Sequence, residues 1–186
     1  MRVLLVDTDA ERAALVSAGL RAAGYEVVAF VPDAIDLTRH VRASGAEVIV
    51  CDLDDPSRDA LESMRALNRD EPRPVILFAE RGEPEQIEAA LEAGVAAYVV
   101  EGLAPARVRP VIEVAIRRFR AHHAMKQELE ATRATLAARK LIDQAKTRLM
   151  ERGRLTEEEA YRRMRQAAMN QGRRLTEVAR AILNES

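Results

Sequence analysis

Short apolar runs alternate with amphipathic stretches five times over the first 110 residues, and this rhythm predicts the N-terminal fold before any single side chain is weighed. Residues 2–6 (RVLLV) run into Asp7, and a helical pattern through Leu15 and Leu20 follows to a stop at Gly24. The same grammar recurs as 26–30 then 35–41, 47–51 then 60–67, 74–78 then 84–93, and 97–100 then 105 onward. Five strand–helix units of this length predict an α/β domain with a five-stranded, doubly wound parallel sheet and helices on both faces. Functional side chains of such a sheet gather at the carboxyl ends of strands, which here carry Asp7 and Asp52.

After Pro110 the punctuation disappears. No Gly or Pro occurs from Val111 to Arg152, a stretch of 42 residues (152 − 111 + 1), so a single helix is expected to run through it. Met125, Leu129, Thr132 and Leu136 follow one another at spacings of 4, 3 and 4, and His122 extends the register backward. These are a and d positions of a short coiled coil, which predicts a homodimer; the alternative is a helix packed on its own N-terminal domain. Gly153 closes the helix, and Thr156 opens the next as N-cap, with Glu159 completing a capping box and three acids favouring the positive end of the helix dipole. That helix is expected to reach about Asn170, with Gly172 as its stop, before a last helix over 175–183.

Periodicity assigns the three-helix module a core. It comprises Leu141, Ile142, Ala145 and Leu149, then Ala160, Met164, Ala167 and Ala168, then Leu175, Val178, Ala179 and Ile182, with Met150 and Met169 filling gaps. The chain thus divides into an α/β domain at 1–115, a coiled-coil linker helix at 116–138 and an all-α module at 139–186.

A chain of 186 residues with 48% hydrophobic content has room for one sizeable core and a small second module. No apolar run approaches the roughly 20 residues needed to span a bilayer, and MRVLLVD lacks the pattern of an export signal, so a cytoplasmic protein without a membrane partner is expected. The lone Cys51 excludes an intrachain disulfide and is expected inside a strand. No Cys/His metal spacing exists, adjacent His122 and His123 point about 100° apart on a helix, and His40 has no neighbouring nucleophile; no metal, cofactor or catalytic residue is expected.

The net charge of −1 conceals a division. Residues 1–111 hold 12 Arg and 20 Asp plus Glu, giving −8, while 112–186 hold 17 Lys plus Arg and 10 Asp plus Glu, giving +7. A basic C-terminal segment suits phosphate-backbone contact, and an acidic N-terminal domain suits reception of a signal. Solvated arginines on helical faces are the plainer reading of the same numbers.

Asp7, the motif CDLDDP around Asp52 and GVAAYVVEG at 94–102 resemble a response-regulator receiver domain, a flavodoxin-like fold, over about residues 1–115. The resemblance implies that Asp52 holds the phosphoacceptor position and Asp7 that of the first Mg²⁺-binding acid. Three positions depart from the family. Thr8 stands where a second acid is usual, Ala79 (22 residues before Glu101) where Thr or Ser is usual, and Glu101 replaces the Lys. A lysine there would neutralise an added phosphoryl group, whereas Glu101 repels it, and no lysine precedes Lys126. Asp9, one residue after Thr8, would supply the missing acid if the loop is shifted, but alternation along an extended strand end points it elsewhere. The degenerate pocket of Asp7, Thr8, Asp9, Ala79 and Glu101 predicts a pseudo-receiver in which phosphorylation of Asp52 is inactive or secondary.

The C-terminal third carries four ordered matches to another family: Arg139-Lys140; Ala145-Lys146 with Leu149-Met150; Ala160-Tyr161 with Met164-Arg165; and Ala168-Met169 leading to Val178-Ala179. Together they resemble the ANTAR domain of bacterial RNA-binding antiterminators. The motif alanines let helices approach closely and specify the fold, which leaves Arg139, Lys140, Lys146, Arg162, Arg163, Arg165, Arg173 and Arg174 as candidate RNA contacts. Two readings stand for Tyr161, a stack on an unpaired loop base or a ring packed at the core edge, and two for Arg165, RNA contact or a bond to Glu157 or Glu158.

The order receiver, coiled coil, ANTAR resembles the AmiR/NasT-type antiterminators over nearly the whole chain, with PSRDALE at 56–62 and RDEPRPVILF at 69–78 as further matches. That resemblance implies binding to paired hairpin loops in a leader RNA of nitrate or nitrite assimilation genes, and control by a NasS-like nitrate-sensing partner. A phosphorylation-dependent regulator binding DNA is the rival reading, although no recognition-helix turn is evident. An enzyme using Asp7 and Asp52 for phosphoryl chemistry lacks the positive partner and hydroxyl it would need.

Overall fold

The computed structural model describes residues 1–53, 55–100 and 105–184. Its chain separates into two compact units, residues 1–122 and 123–186.

The first unit contains strands β1 (Arg2–Asp7), β2 (Glu26–Val31), β3 (Val48–Asp52), β4 (Val75–Ala79) and β5 (Ala97–Val100). They form one parallel sheet in the order β2-β1-β3-β4-β5. Helices α1 (Ala10–Ala22), α2 (Leu37–Ser44), α3 (Arg58–Asp70) and α4 (Pro84–Glu92) connect the strands, and α5 (Pro105–Gly153) follows β5. Because side chains alternate across a strand, the nearly unbroken apolar runs of β1, β3 and β4 feed two cores at once. Leu4, Val6, Ile49, Cys51 and Leu77 pack with Leu37, Val41, Met64 and Leu67 on one face. Val3, Leu5, Val50, Ile76 and Phe78 pack on the other with Val16 and Leu20 of α1 and with Val108, Ile112, Ala115 and Ile116 of α5. Cys51 is fully buried, as its place in the strand pattern predicts.

The helices start and stop where local chemistry dictates. Asp9 and Ser57 cap α1 and α3 with side-chain oxygens on first-turn amides. Helix α2 begins at Leu37, two residues after the expected Ile35, because Asp36 takes a left-handed backbone conformation (φ 50°) that no helix can include. At the far end of α5, Gly153 stays helical and Arg154 takes the left-handed turn instead (φ 48°).

In the second unit the last turns of α5 meet α6 (Glu157–Gln171) and α7 (Leu175–Asn184). Ala145, Met164 and Ala179 are its buried centre, ringed by Leu141, Ile142, Leu149, Leu175, Ile182 and Leu183. Ala160, Ala168 and Val178 are also buried. Thr156 and Glu159 form the expected capping box, and Gly172 (φ 61°) closes α6. Among the described residues no helix is long and apolar enough to cross a membrane.

Candidate acidic pocket and nucleic-acid interface

The strand order reverses direction between β1 and β3, and their carboxyl ends therefore form the crevice in which such sheets place function. Asp7 and Asp52 are register partners at that edge, and both side chains are buried. Ala79 lies buried at the end of the next strand and offers no hydroxyl, Thr8 is exposed, and Glu101 lies outside the described residues. Asp9 turns onto the first turn of α1, accepting the amides of Glu11 and Arg12 at 2.8 and 3.1 Å. Those amides hold its carboxyl below the usual range. Its backbone N–H in turn donates to Asp7 Oδ1 at 2.8 Å.

A cation already stands in this pocket. The Arg12 guanidinium donates to Asp7 Oδ1 through Nη2 at 2.8 Å and lies 3.2 Å through Nε from both Asp7 oxygens. The same Nε is 3.3 Å from Asp52 Oδ2, and Nη2 reaches the Asp52 backbone carbonyl at 3.4 Å. A divalent cation would need these same carboxylate lone pairs together with further oxygen ligands. Among the described residues no group of three or more His, Cys, Asp or Glu is placed to supply them. With Arg12 so placed, the described residues of the pocket do not fit a divalent cation.

The sequence had singled out the acids of this pocket and missed Arg12. The signal was weak: Arg12 stands in the first helical turn, where the macrodipole favours an acid, but Arg39 and Arg58 stand likewise in α2 and α3 and their ion pairs are local.

On the three-helix unit the candidate RNA residues separate by what already holds them. Lys146 is clamped between Asp143 on its own helix (2.8 Å) and Glu157 at the start of α6 (2.7 Å), with 16% of its side chain exposed. The two carboxylates raise the pKa of the amine, and Lys146 lowers that of Asp143. Arg162 pairs with Glu158 at 3.1 Å, and Arg173 approaches Glu177 at 3.6 Å. Arg174 uses its backbone amide on Glu177, leaving its guanidinium exposed. Arg148 donates to the Leu183 carbonyl at 3.0 Å and so closes the end of α7.

Arg139, Lys140, Arg163 and Arg165 are exposed. Glu157 pairs with Lys146 and Glu158 with Arg162, and Arg165 makes no ion pair among the described residues. Tyr161 is 43% exposed, and Met169 is 74% exposed instead of filling a gap in the core. The reason is angular. Helix α6 buries Ala160, Met164 and Ala168, so Met169 sits about 100° further round, in line with Tyr161 and Arg165 at four-residue spacing. An aromatic ring, a guanidinium and a thioether thus line one exposed face, a missed feature that a one-residue change of helical register would have revealed.

The Glu159 carboxylate accepts from the Thr156 amide at 2.9 Å and its hydroxyl at 3.0 Å, and these bonds lower its pKa. A group depressed in the folded state stabilises above its unfolded pKa and loses that contribution as pH falls through the folded one. Acid titration followed by amide NMR should therefore fray the start of α6 below the ordinary carboxylate range, and Glu159→Gln should abolish that step. An unchanged acid profile in the variant would sink the assignment.

Along the middle of α5, residues 124–137 are exposed throughout. Met125, Leu129 and Leu136 are 64%, 49% and 54% exposed in the single chain, with His122 and Thr132 exposed in the same register.

Compared with known families, residues 3–113 match the response regulator receiver domain and residues 130–183 the ANTAR domain. The transcriptional regulatory protein PdtaR of Mycobacterium tuberculosis is 26% identical over 182 residues, which cover 98% of this chain and 89% of that protein. The transcriptional regulatory protein PrrA of the same organism is 31% identical over 118 residues, 63% of this chain and 50% of its own length. Among solved structures, the signal receiver domain of the putative response regulator NarL from M. tuberculosis superposes with a TM-score of 0.54 at 23% identity. That match covers 61% of this chain and 94% of the domain, and it bears on the fold.

Proposed function

As the chain belongs to the response regulators, with a receiver domain over more than half its length and an ANTAR domain after it, we propose that it regulates transcription antitermination by binding paired hairpin loops in a leader RNA. One observation carries the reading. The α6 face of Tyr161, Arg165 and Met169 stands exposed while the motif alanines Ala145, Ala160 and Ala168 are buried. The ring can stack on a splayed loop base, the thioether can extend that apolar platform, and the guanidinium can pair with phosphate or a guanine edge. Arg139, Lys140, Arg162, Arg173 and Arg174 are exposed on the same unit and serve as phosphate contacts. Lys146 contributes only if RNA phosphate displaces Asp143 or Glu157.

A dimer zipped along His122, Met125, Leu129, Thr132 and Leu136 would present two such modules to two hairpins. Regulation falls to a protein partner more than to phosphorylation, because a guanidinium occupies the Asp7–Asp52 pocket. The regulated genes are those of nitrate or nitrite assimilation and the partner is a NasS-like sensor, an assignment supported by the resemblance of 56–62, 69–78 and 94–102 to AmiR/NasT-type antiterminators.

The test is binding of the purified protein to the leader RNA, run as a salt series against loop-mutated RNA and DNA of equal length. Steeply salt-sensitive, loop-dependent RNA binding is expected, and equal or better DNA binding would overturn the reading. Tyr161→Ala and Arg165→Ala should each weaken it by about 1–3 kcal/mol with the helical content intact. Lys146→Ala should cost less binding and slightly more stability, since it unclips α5 from α6.

A further inference from the structure

We propose that Arg12 is the permanent counter-ion of the acidic pocket, standing in for the divalent cation that a receiver of this family would hold, so that the resting domain is metal-independent. The proposal is separate from the RNA reading and needs no nucleic acid to test.

Charge and geometry agree. Asp7 and Asp52 are held side by side by the strand register with both carboxylates buried, an arrangement that requires positive charge nearby. Arg12 supplies it, touching Asp7 at 2.8 Å and Asp52 at 3.3 Å from a side chain 31% exposed. The guanidinium is planar and stays charged at any working pH, so the neutralisation does not depend on the supply of metal. Its anchorage is local: Asp9 caps the helix through the amide of Arg12 itself, fixing the backbone from which the side chain reaches back. The Asp9 amide meanwhile donates to Asp7 Oδ1, so both the acid and its counter-ion are set by one turn of chain. Thr8, at the second-acid position, is exposed and brings no charge that would tip the balance toward a doubly charged ion.

The consequence is a prediction opposite in sign for the protein and its variant. With Arg12 present, Mg²⁺ must expel a guanidinium before reaching oxygen; with Arg12 removed, two buried carboxylates are left that a divalent cation relieves.

Mn²⁺ titration of the full-length protein, followed by the electron paramagnetic resonance signal of the free ion, reads this directly. Arg12→Gln should bind one Mn²⁺ at least about tenfold more tightly than the unaltered chain, as expected for loss of a unit positive charge a few ångströms from the site. Equal affinities in the two proteins, whether both bind or neither does, would overturn the proposal. A second measurement needs no variant. The urea midpoint of the unaltered receiver should be the same in about 10 mM MgCl₂ and in KCl of matched ionic strength, because a ligand that binds only the folded state must raise it. A magnesium-specific rise would likewise overturn the proposal.

Discussion

Met164→Ala is expected to unfold the C-terminal unit while leaving the receiver intact. Met164 is fully buried between Ala145 and Ala179, and no other long side chain in that small core is as completely enclosed. Truncating it removes transfer free energy and leaves a cavity beside two alanines that cannot grow to fill it, at a cost of about 2–5 kcal/mol. The unit has 64 residues (123 to 186), for which a total stability of about 3–10 kcal/mol is ordinary. The substitution therefore consumes a large share of what holds the three helices together. Hydrogen exchange resolved by peptide should lose protection in α6 and α7 and in the last turns of α5, with β1, β3 and β4 unchanged, and leader RNA binding should fall in step. Loss of protection spread equally over both units would contradict this account.

Leu129→Asp is expected to convert a dimer into a monomer and, through that alone, to weaken binding to a two-hairpin leader by about 10²–10⁴-fold. Leu129 lies at the middle of the seam and is 49% exposed in the single chain, so the change should cost little within one molecule. In a coiled coil the same position is enclosed by its partner, and a carboxylate there would be desolvated opposite its own copy. The second hairpin is then no longer held at high effective concentration. A single-hairpin RNA should bind the variant and the unaltered protein alike. Sedimentation equilibrium together with both affinities checks the claim; a monomeric unaltered protein, or an equal loss on the single hairpin, would refute it.

What the sequence disclosed depended on how local its cause was. The five strands were legible because buried parallel strands are continuous apolar runs bounded by turns, and the capping box at Thr156 and Glu159 was legible because both members lie within one turn. The start of α2 was misplaced by two residues because its limit is a backbone angle at Asp36, which an apolar pattern does not encode. Met169 was placed inside because Met164, Ala168 and Met169 all read as apolar, and only the register fixed by Ala160 and Met164 puts the last of them outside. Lys146 was half legible: its bond to Asp143 is a three-residue spacing, but that to Glu157 crosses a helix turn whose shape the sequence leaves open. Arg12 was the largest omission at the candidate site: Asp7 lies only five residues before it, but Asp52 lies forty residues on, and the fold brings the three together. Its place in a helix N-terminus was a trace it shares with Arg39 and Arg58.

The receiver's second core has a bearing on synthesis. Val108, Ile112, Ala115 and Ile116 cover part of one face of the sheet, yet they belong to a helix that comes after the last strand. While the chain is being made, all five strands can leave the ribosome before that face is closed, with α1 and Tyr25 packed there from earlier in the chain. A nascent receiver cut at Val100 would lack the α5 side chains that share a core with Ile76 and Phe78, an invitation to chaperones and to neighbouring chains. Translation must proceed past Ile116, well into the helix that goes on to build the second unit, before the first can finish folding.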